Sequence, residues 1–204
     1  MRLPYVPNPP QFQGEADQAI VRRVQERRGE RGLLELDRAL LHSPPVADGW
    51  NSFLGAIRTR TSISASIRET AICRVAVLNR AWYEWMDHAP LLRATGDLDE
   101  RDMEYIARRR PKSQAQQRPG GTATDDDIEP SERLTERHLA VLDYTDAMTM
   151  DVSVPDELFA RLRTLFSERE VVEITATVGA YNCVSRFLVA LNVGEKNADT
   201  GPDQ

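Results

Sequence analysis

The sequence predicts an all-α protein folded as a compact helical bundle. In most segments apolar side chains recur at intervals of three and four residues, which is the period of an amphipathic helix. Alternation of apolar and polar residues, the pattern of a half-buried strand, forms no comparable run. The chain has 204 residues, 41% of them hydrophobic, which suffices for one domain with its own core.

The N-terminal third is expected to contain a proline-rich segment and three helices. Residues 1–13 are rich in proline and are expected to lie extended. A surface helix follows over 15–31, where a thin apolar stripe runs among arginine and glutamate residues. A short apolar helix is predicted over 33–41, and a longer one begins at Ser43-Pro44-Pro45, because a first helical turn tolerates proline. Its expected buried face is Val46, Trp50, Phe53, Leu54 and Ile57.

Two further helices are predicted in the middle of the chain. Ser66 with Glu69 three residues later forms a capping-box pattern, which predicts a helix over 67–79. The next helix, over 82–94, is expected to end at Gly96, because glycine adopts the left-handed conformation that terminates helices.

The C-terminal half combines a polar insertion with three strong helix signals. After a short polar helix over 97–110, residues 111–131 contain hardly any apolar side chain, so a loop insertion is expected. Helices are predicted to begin at Thr135, a plausible N-cap, and at Pro155. A second capping box, formed by Ser167 and Glu170, opens the longest apolar helix, which ends near Leu191.

Composition and charge narrow the classes of function. The formal net charge of −6 argues against non-specific binding to nucleic acid, which requires a basic surface. We also expect no membrane span, and the N-terminus does not resemble a secretion signal, so a cytoplasmic location is expected. Cys73 and Cys183 lie in apolar helical contexts and are expected to be buried free thiols.

The reactive side chains are densest in the segment Trp82-Tyr83-Glu84-Trp85-Met86-Asp87-His88. Glu84 and His88 are one helical turn apart and share a face, as do Tyr83 and Asp87. A carboxylate beside an imidazole raises its basicity and selects its tautomer, which suits general acid–base catalysis. The alternative interpretation is a polar pair on a solvated helix face, with the tryptophans in the core.

The spacing around this segment matches a known pattern. Glu69, Ala81, Glu84 and His88 are separated by eleven, two and three residues. This spacing resembles that of the alkyl hydroperoxidase D-like (AhpD-like) and carboxymuconolactone decarboxylase superfamily, whose redox members carry Glu, Cys, Cys and His there. The resemblance extends over Gly49-Trp50-Asn51, Phe53-Leu54-Gly55-Ala56, Arg68-Glu69, Tyr83-Glu84-Trp85, Leu134-Thr135-Glu136-Arg137, Glu170-Val171-Val172-Glu173 and Tyr181-Asn182.

The resemblance is to the non-redox Tyr-Glu-Trp branch of this superfamily. It covers a helical domain over 33–193 that contains the insertion, with residues 1–32 as an N-terminal extension and 194–204 as a flexible tail. It implies an all-helical fold that assembles as a dimer, trimer or hexamer. The two redox cysteines fall on Ala81 and Glu84 in this chain, so thiol peroxidase activity is disfavoured, because disulfide exchange needs two thiols.

Carried onto this chain, the resemblance implies proton transfer. His88, oriented by Glu84, would move a proton to or from a carbon next to a carbonyl group, and Glu69 would act as a second acid or base or hold His88. We expect no cofactor and no metal, since the single Glu-x-x-x-His spacing differs from the repeated Glu-x-x-His of carboxylate-bridged iron proteins. His42 and His138 are isolated and are interpreted as helix-end or surface residues.

Other positions are expected to contact the substrate or to stabilise developing negative charge. The expected contacts are Tyr83, Trp85, Trp50, Asn182 and Arg186. The candidate cations are Arg68, Arg74, Arg80 and Arg186. Two alternatives stay open: Asn182 could instead fill a buried polar gap, and Arg186 could lie on the surface with its stem buried.

The predicted function is that of a cofactor-free carbon–carbon lyase. It would act like a decarboxylase on a small oxygenated carboxylic acid or lactone, in aromatic catabolism or secondary metabolism. An isomerase or dehydratase using the same site is one alternative. A non-catalytic helical homo-oligomer that serves as an interaction module is another.

Overall fold

The computed structural model describes residues 1–111, 129–198 and 201. Most of the predicted insertion over 111–131 therefore lies outside the described residues. Within the described part of the chain, all regular structure is helical, as the periodicity predicted. The nine α-helices among the described residues are α1 (Glu15–Arg28), α2 (Glu35–Leu40), α3 (Pro44–Thr59), α4 (Ala65–Leu78), α5 (Trp82–Ala94), α6 (Glu100–Arg108), α7 (Glu136–Met150), α8 (Asp156–Leu165) and α9 (Glu168–Leu191), with 3₁₀ helices at Gly29–Arg31 and Val193–Glu195.

The core is organised around α4, which packs against α5, α7 and α9. A larger apolar cluster joins α1, α2 and α3 to α4, α7, α8 and α9. A smaller cluster lies between α4, α5, α6 and α7 and contains Trp85, Leu92 and Ile106. The helix α1 was predicted to be a surface helix with a thin stripe, and its buried residues Ile20, Val21 and Val24 do join the larger cluster.

The helix α9 is long and apolar enough to cross a membrane when judged by length and composition alone. Core helices of bundles meet the same criterion. Here α9 packs against α3, α4, α7 and α8, with Ile174, Val178 and Tyr181 buried among them. Its apolar character is therefore explained by its central place in the bundle.

The predicted buried face of α3 was partly wrong. Leu54 and Ile57 are buried, but Val46 and Phe53 are half exposed, with 52% and 50% of their surfaces accessible. The 3.6-residue period allows two adjacent apolar stripes, and packing selects the one that includes Ala47. Trp50, which belongs to both stripes, is partly buried at the edge of the core.

The predicted cap of α4 was also wrong. The N-cap is Ser64, whose hydroxyl accepts from the backbone N–H of Ile67. Ser66 lies inside the helix, where its hydroxyl lies 2.8 Å from Nε2 of a buried His138. Because Ser64 already caps the helix, Glu69 is not needed there, and its side chain points into the protein.

Candidate active site

The site is built where α5 packs back against α4. The chain reverses between these helices over three residues, and Arg80 adopts a left-handed conformation with φ of 52°. This tight reversal places the first turns of α4 beside the middle of α5. Nδ1 of His88 lies 2.6 Å from Oε2 of Glu69, and both side chains are about 95% buried.

The contact with Glu69 determines which ring nitrogen is available. Burial raises the pKa of Glu69, but the hydrogen bond and the charge of His88 together lower it by a larger amount. The net shift of this pKa is therefore downward, and the side chain is a carboxylate. A carboxylate only accepts, so Nδ1 of His88 carries the proton and donates it. In neutral His88, Nε2 is then an unprotonated base, and it forms no hydrogen bond with a described residue.

Glu84 does not orient His88, contrary to the sequence-based expectation. Both of its carboxyl oxygens are buried without a hydrogen-bond partner among the described residues. Burial raises the pKa of Glu84 well above its ordinary value, so the side chain is held protonated near neutral pH. Two carboxyl groups near one imidazole thus take opposite states, one a carboxylate and the other a neutral acid.

These groups meet at a pocket of about 450 Å³, including its open mouth. The ring of Tyr181 packs edge-on against His88, with centroids 5.0 Å apart, and its hydroxyl forms no hydrogen bond with a described residue. The pocket is lined by Arg27, Arg28, Leu34, Leu36, Trp50, Leu54, Arg58, Tyr83, Glu84, Asp87, His88, Tyr181, Val184 and Leu188.

Tyr83 and Asp87 line this pocket but do not form the pair that their spacing suggested. The hydroxyl of Tyr83 donates to Oε2 of Glu35 at 3.1 Å, and Oδ1 of Asp87 accepts from Arg31 at 2.7 Å. Burial raises the pKa of Tyr83, so it stays a neutral donor. The two residues tie α5 to the N-terminal helices that form one wall of the pocket.

Three of the five expected substrate contacts lie elsewhere. Trp85 is buried in the smaller apolar cluster. Asn182 donates to Oγ1 of Thr149 and accepts from Asn79, so it fills a polar gap between helices. Arg186 is exposed and donates to Asn182 on its own helix. The pocket is instead reached by Trp50 and Tyr83, the other two expected contacts.

The arginines that were candidates for stabilising negative charge also lie in different parts of the structure. Arg74 is 1% exposed and forms a buried ion pair with Asp146, with Nε 2.5 Å from Oδ1. Its other nitrogens donate to the backbone carbonyls of Ile106 and Arg109 at the end of α6. Arg74 therefore joins helices rather than facing the pocket. Arg80 is exposed at the turn, and Arg68 lies beside Glu69, with Nε 3.3 Å from Oε1.

Four polar residues of the pocket were missed by the sequence-based reasoning: Arg27, Arg28, Arg58 and Tyr181. The arginines of α1 looked like the solvated face of a surface helix, and nothing in their spacing pointed to His88. Tyr181 was noted only as part of the family resemblance. A Tyr on the buried stripe of a long apolar helix was the one available signal, because a buried hydroxyl needs a partner.

The two cysteines lie in different environments, and neither forms a disulfide bond. Cys73 is fully buried, and burial raises its pKa well above the ordinary value of a thiol. Cys183 is exposed, contrary to the expectation that both are buried. Within the described residues, no group of three or more His, Cys, Asp or Glu side chains is placed to hold a metal ion.

Comparison with known proteins supports the fold. No family model matches the chain, and no curated protein matches it. An uncharacterised peroxidase-related protein from Silicibacter sp. TM1040 matches with a TM-score of 0.64 and 15% identity, over 97% of this chain and 92% of that one. A protein of unknown function from Agrobacterium tumefaciens, described as a putative antioxidant defence protein AhpD, matches with a TM-score of 0.57 and 21% identity, over 80% and 94%. The chain therefore has an AhpD-like helical fold.

Proposed function

We propose that this protein is a proton-transfer enzyme that needs no cofactor and acts on a small oxygenated carboxylic acid or lactone. Its reaction would be that of a carbon–carbon lyase of the decarboxylase type. The observation that carries the proposal is the state of His88. Glu69 holds one ring nitrogen of His88, the other nitrogen is left as a base, and the ring lines the pocket.

The proposed chemistry passes through an enolate. When a carboxylate leaves as carbon dioxide from the carbon next to a carbonyl group, the electron pair of the broken bond delocalises onto the carbonyl oxygen. Glu84 is protonated and lines the pocket, so it can donate a hydrogen bond to that oxygen as negative charge develops. Nε2 of His88 takes up a proton from solvent before this step. The resulting imidazolium, which the carboxylate of Glu69 stabilises, delivers that proton to the carbon and returns to neutral imidazole.

The unpartnered carboxyl of Glu84 argues for a role beyond structure. A buried polar group without a hydrogen bond costs about 1–3 kcal/mol of stability. An apolar side chain at this position would avoid that cost. A non-catalytic helical module has no use for such a group, whereas an enzyme that needs a neutral acid at neutral pH does.

The same groups support isomerisation or dehydration, because both reactions remove a proton beside a carbonyl and return one elsewhere. Product analysis separates these reactions from decarboxylation. Loss of carbon dioxide identifies a lyase, an unchanged mass in ordinary water identifies an isomerase, and loss of water identifies a dehydratase.

The test is turnover in deuterated water with a panel of small β-keto acids and lactone acids. Mass spectrometry follows loss of carbon dioxide and uptake of deuterium by the wild-type protein, by His88→Ala and by the control His42→Ala. We expect deuterium uptake that disappears in His88→Ala and persists in the control, because His42 does not line the pocket and its ring contacts the carbonyl of Pro4. Equal uptake by wild type and His88→Ala would refute the proposal.

A further inference from the structure

A second, larger cleft adjoins the pocket of His88. It has a volume of about 1110 Å³, much of it open to solvent. Three arginines, Arg27, Arg28 and Arg58, line both cavities, so the cleft and the pocket share a wall. The remaining residues that line the cleft are Arg31, Gly55, Thr59, Ala65, Arg68, Glu69, Leu91, Ala94 and Thr95.

Five guanidinium groups surround this cleft, and not all of them are neutralised. Arg28 donates to both carboxylate oxygens of Asp37, at 2.8 and 2.7 Å, so the charges of these two side chains neutralise each other. Arg31 pairs with Asp87 at 2.7 Å. Arg68 lies beside Glu69, 3.3 Å away. Since Glu84 is held neutral by burial, these three carboxylates leave two arginines without a matching charge.

The two arginines in excess are Arg27 and Arg58. Arg27 donates to the side-chain carbonyl of Asn51, and it lies 4.0 Å from Asp37, which already pairs with Arg28. Arg58 has no hydrogen bond or ion pair within the described part of the chain. Burial lowers the pKa of Arg27, and the charges of Arg28 and Arg58 lower it further, while the charge of Asp37 opposes them.

This excess is unusual for a chain whose formal net charge is −6. Half-buried guanidinium groups are stable where an anion accepts their hydrogen bonds. A single carboxylate would neutralise the charge of only one of these two arginines. A phosphoryl group carries a charge of about −1.5 to −2 near pH 7 and offers three acceptor oxygens, which suits two forked donors at one site.

We propose that the cleft is a subsite for a phosphoryl group, bound chiefly by Arg58 and Arg27. The proposal of a phosphoryl subsite depends only on these two arginines. Its link to catalysis rests on the proposed function: the substrate would have two parts, a reactive carbonyl acid beside His88 and a phosphorylated end in the cleft. The substrate class is then a phosphate ester or phosphoanhydride of an oxygenated acid, rather than a free small acid.

The test is calorimetric titration of the full-length protein with inorganic phosphate at constant ionic strength, with acetate and malonate as the comparison anions. The variants are Arg58→Ala and Arg27→Ala. The matched control is Arg60→Ala, which removes the same charge from the exposed end of α3 outside the cleft. Circular dichroism confirms that each variant is folded.

We expect phosphate to bind more tightly than either carboxylate. Each cleft variant should weaken phosphate binding at least about tenfold, which is the value of one charge-assisted hydrogen bond, and the control should not. No phosphate binding by wild type, equal binding by Arg58→Ala and Arg60→Ala, or tighter binding of malonate would overturn the proposal.

The variant His88→Ala separates this proposal from the proposed function. It should bind phosphate like wild type, because His88 lines the inner pocket and not the cleft. The deuterium assay is therefore extended to phosphorylated keto acids. Phosphate binding without His88-dependent deuterium uptake from either the free or the phosphorylated acids would support the subsite and refute the enzyme reaction. Deuterium uptake without phosphate binding would refute the subsite alone.

Discussion

His88 and Glu69 lie 19 positions apart on consecutive helices, and their side chains meet with Nδ1 2.6 Å from Oε2. The tight turn between α4 and α5 makes this contact possible. This contact between two helices differs from the Glu84–His88 pair within one helix that the sequence spacing suggested. Glu69 is thus a carboxylate, His88 is the imidazole that it holds, and Glu84 is a neutral acid.

Replacing Glu69 with Gln tests the role of its charge. The amide retains the shape but no longer stabilises an imidazolium, and it can present its NH₂ group to Nδ1, which would place the proton of His88 on Nε2. We expect the rate of deuterium uptake to fall by about 10²–10⁴-fold, the range for a lost general acid or base. Glu26→Gln, at an exposed position of α1, serves as the control. A rate within twofold of wild type would contradict the assigned role.

Replacing Glu84 with Leu should stabilise the protein and impair its activity. Removing a buried carboxyl without a partner should raise the free energy of unfolding by about 1–3 kcal/mol at pH 7. The folded-state pKa of Glu84 is raised, so the unfolded chain releases this proton first as pH rises. Wild-type stability should therefore fall as pH rises above the ordinary value of about 4.3, and Glu84→Leu should remove that part of the slope.

Urea unfolding at pH 4 and at pH 7 measures this difference. The stabilisation by Glu84→Leu should be larger at pH 7 than at pH 4, and Glu26→Leu should show no such difference. A loss of stability that is the same at both pH values would show that the carboxyl has a partner.

Replacing Arg74 with Met should destabilise the fold without altering the site. The change leaves Asp146 with Arg109 as its remaining partner and removes two hydrogen bonds to the end of α6. Breaking a buried ion pair on one side typically costs about 3–5 kcal/mol. Urea unfolding should show a loss of this size, while the folded fraction keeps its rate of deuterium uptake. A large loss of rate at full folding would place Arg74 in the site instead.

Replacing both cysteines with Ala should leave proton transfer intact. Cys73 is buried and its pKa is raised, so it forms little of the thiolate that redox chemistry requires. In the native protein, iodoacetamide should therefore label Cys183 and not Cys73, as peptide mass spectrometry can show. Activity that disappears only in the double variant would revive a thiol-based function.

The regular features of the fold could be predicted from the sequence because they depend on local chemistry. Ser167 and Glu170 form the predicted capping box of α9, and α5 ends before Gly96, which has φ of 73°. The cap of α4 was misassigned, because Ser64 and Ser66 both precede suitable partners, and only tertiary contact with His138 decides between them.

The site was less predictable because it depends on contacts between distant segments. The spacing of Glu69, Glu84 and His88 pointed to side chains that the structure brings to one region, yet it could not show which carboxylate reaches the imidazole. Arg27 and Arg58 carried no signal, since an arginine on a charged helix looks the same whether it faces solvent or a cleft. Asn182 and Arg186 were expected at the site because they are polar residues on an apolar helix, but neighbouring polar side chains satisfy them.

The proposed reaction depends on an unprotonated Nε2 of His88, and nitrogen-15 NMR of the imidazole rings measures this protonation state directly. Two-bond proton–nitrogen spectra distinguish the two neutral tautomers, and His88→Ala identifies the His88 signals. At a pH where His88 is neutral, we predict a proton on Nδ1 and none on Nε2, with the tautomer shifting in Glu69→Gln. A wild-type protein with its proton on Nε2 would contradict the central claim, because His88 could not then act as the base.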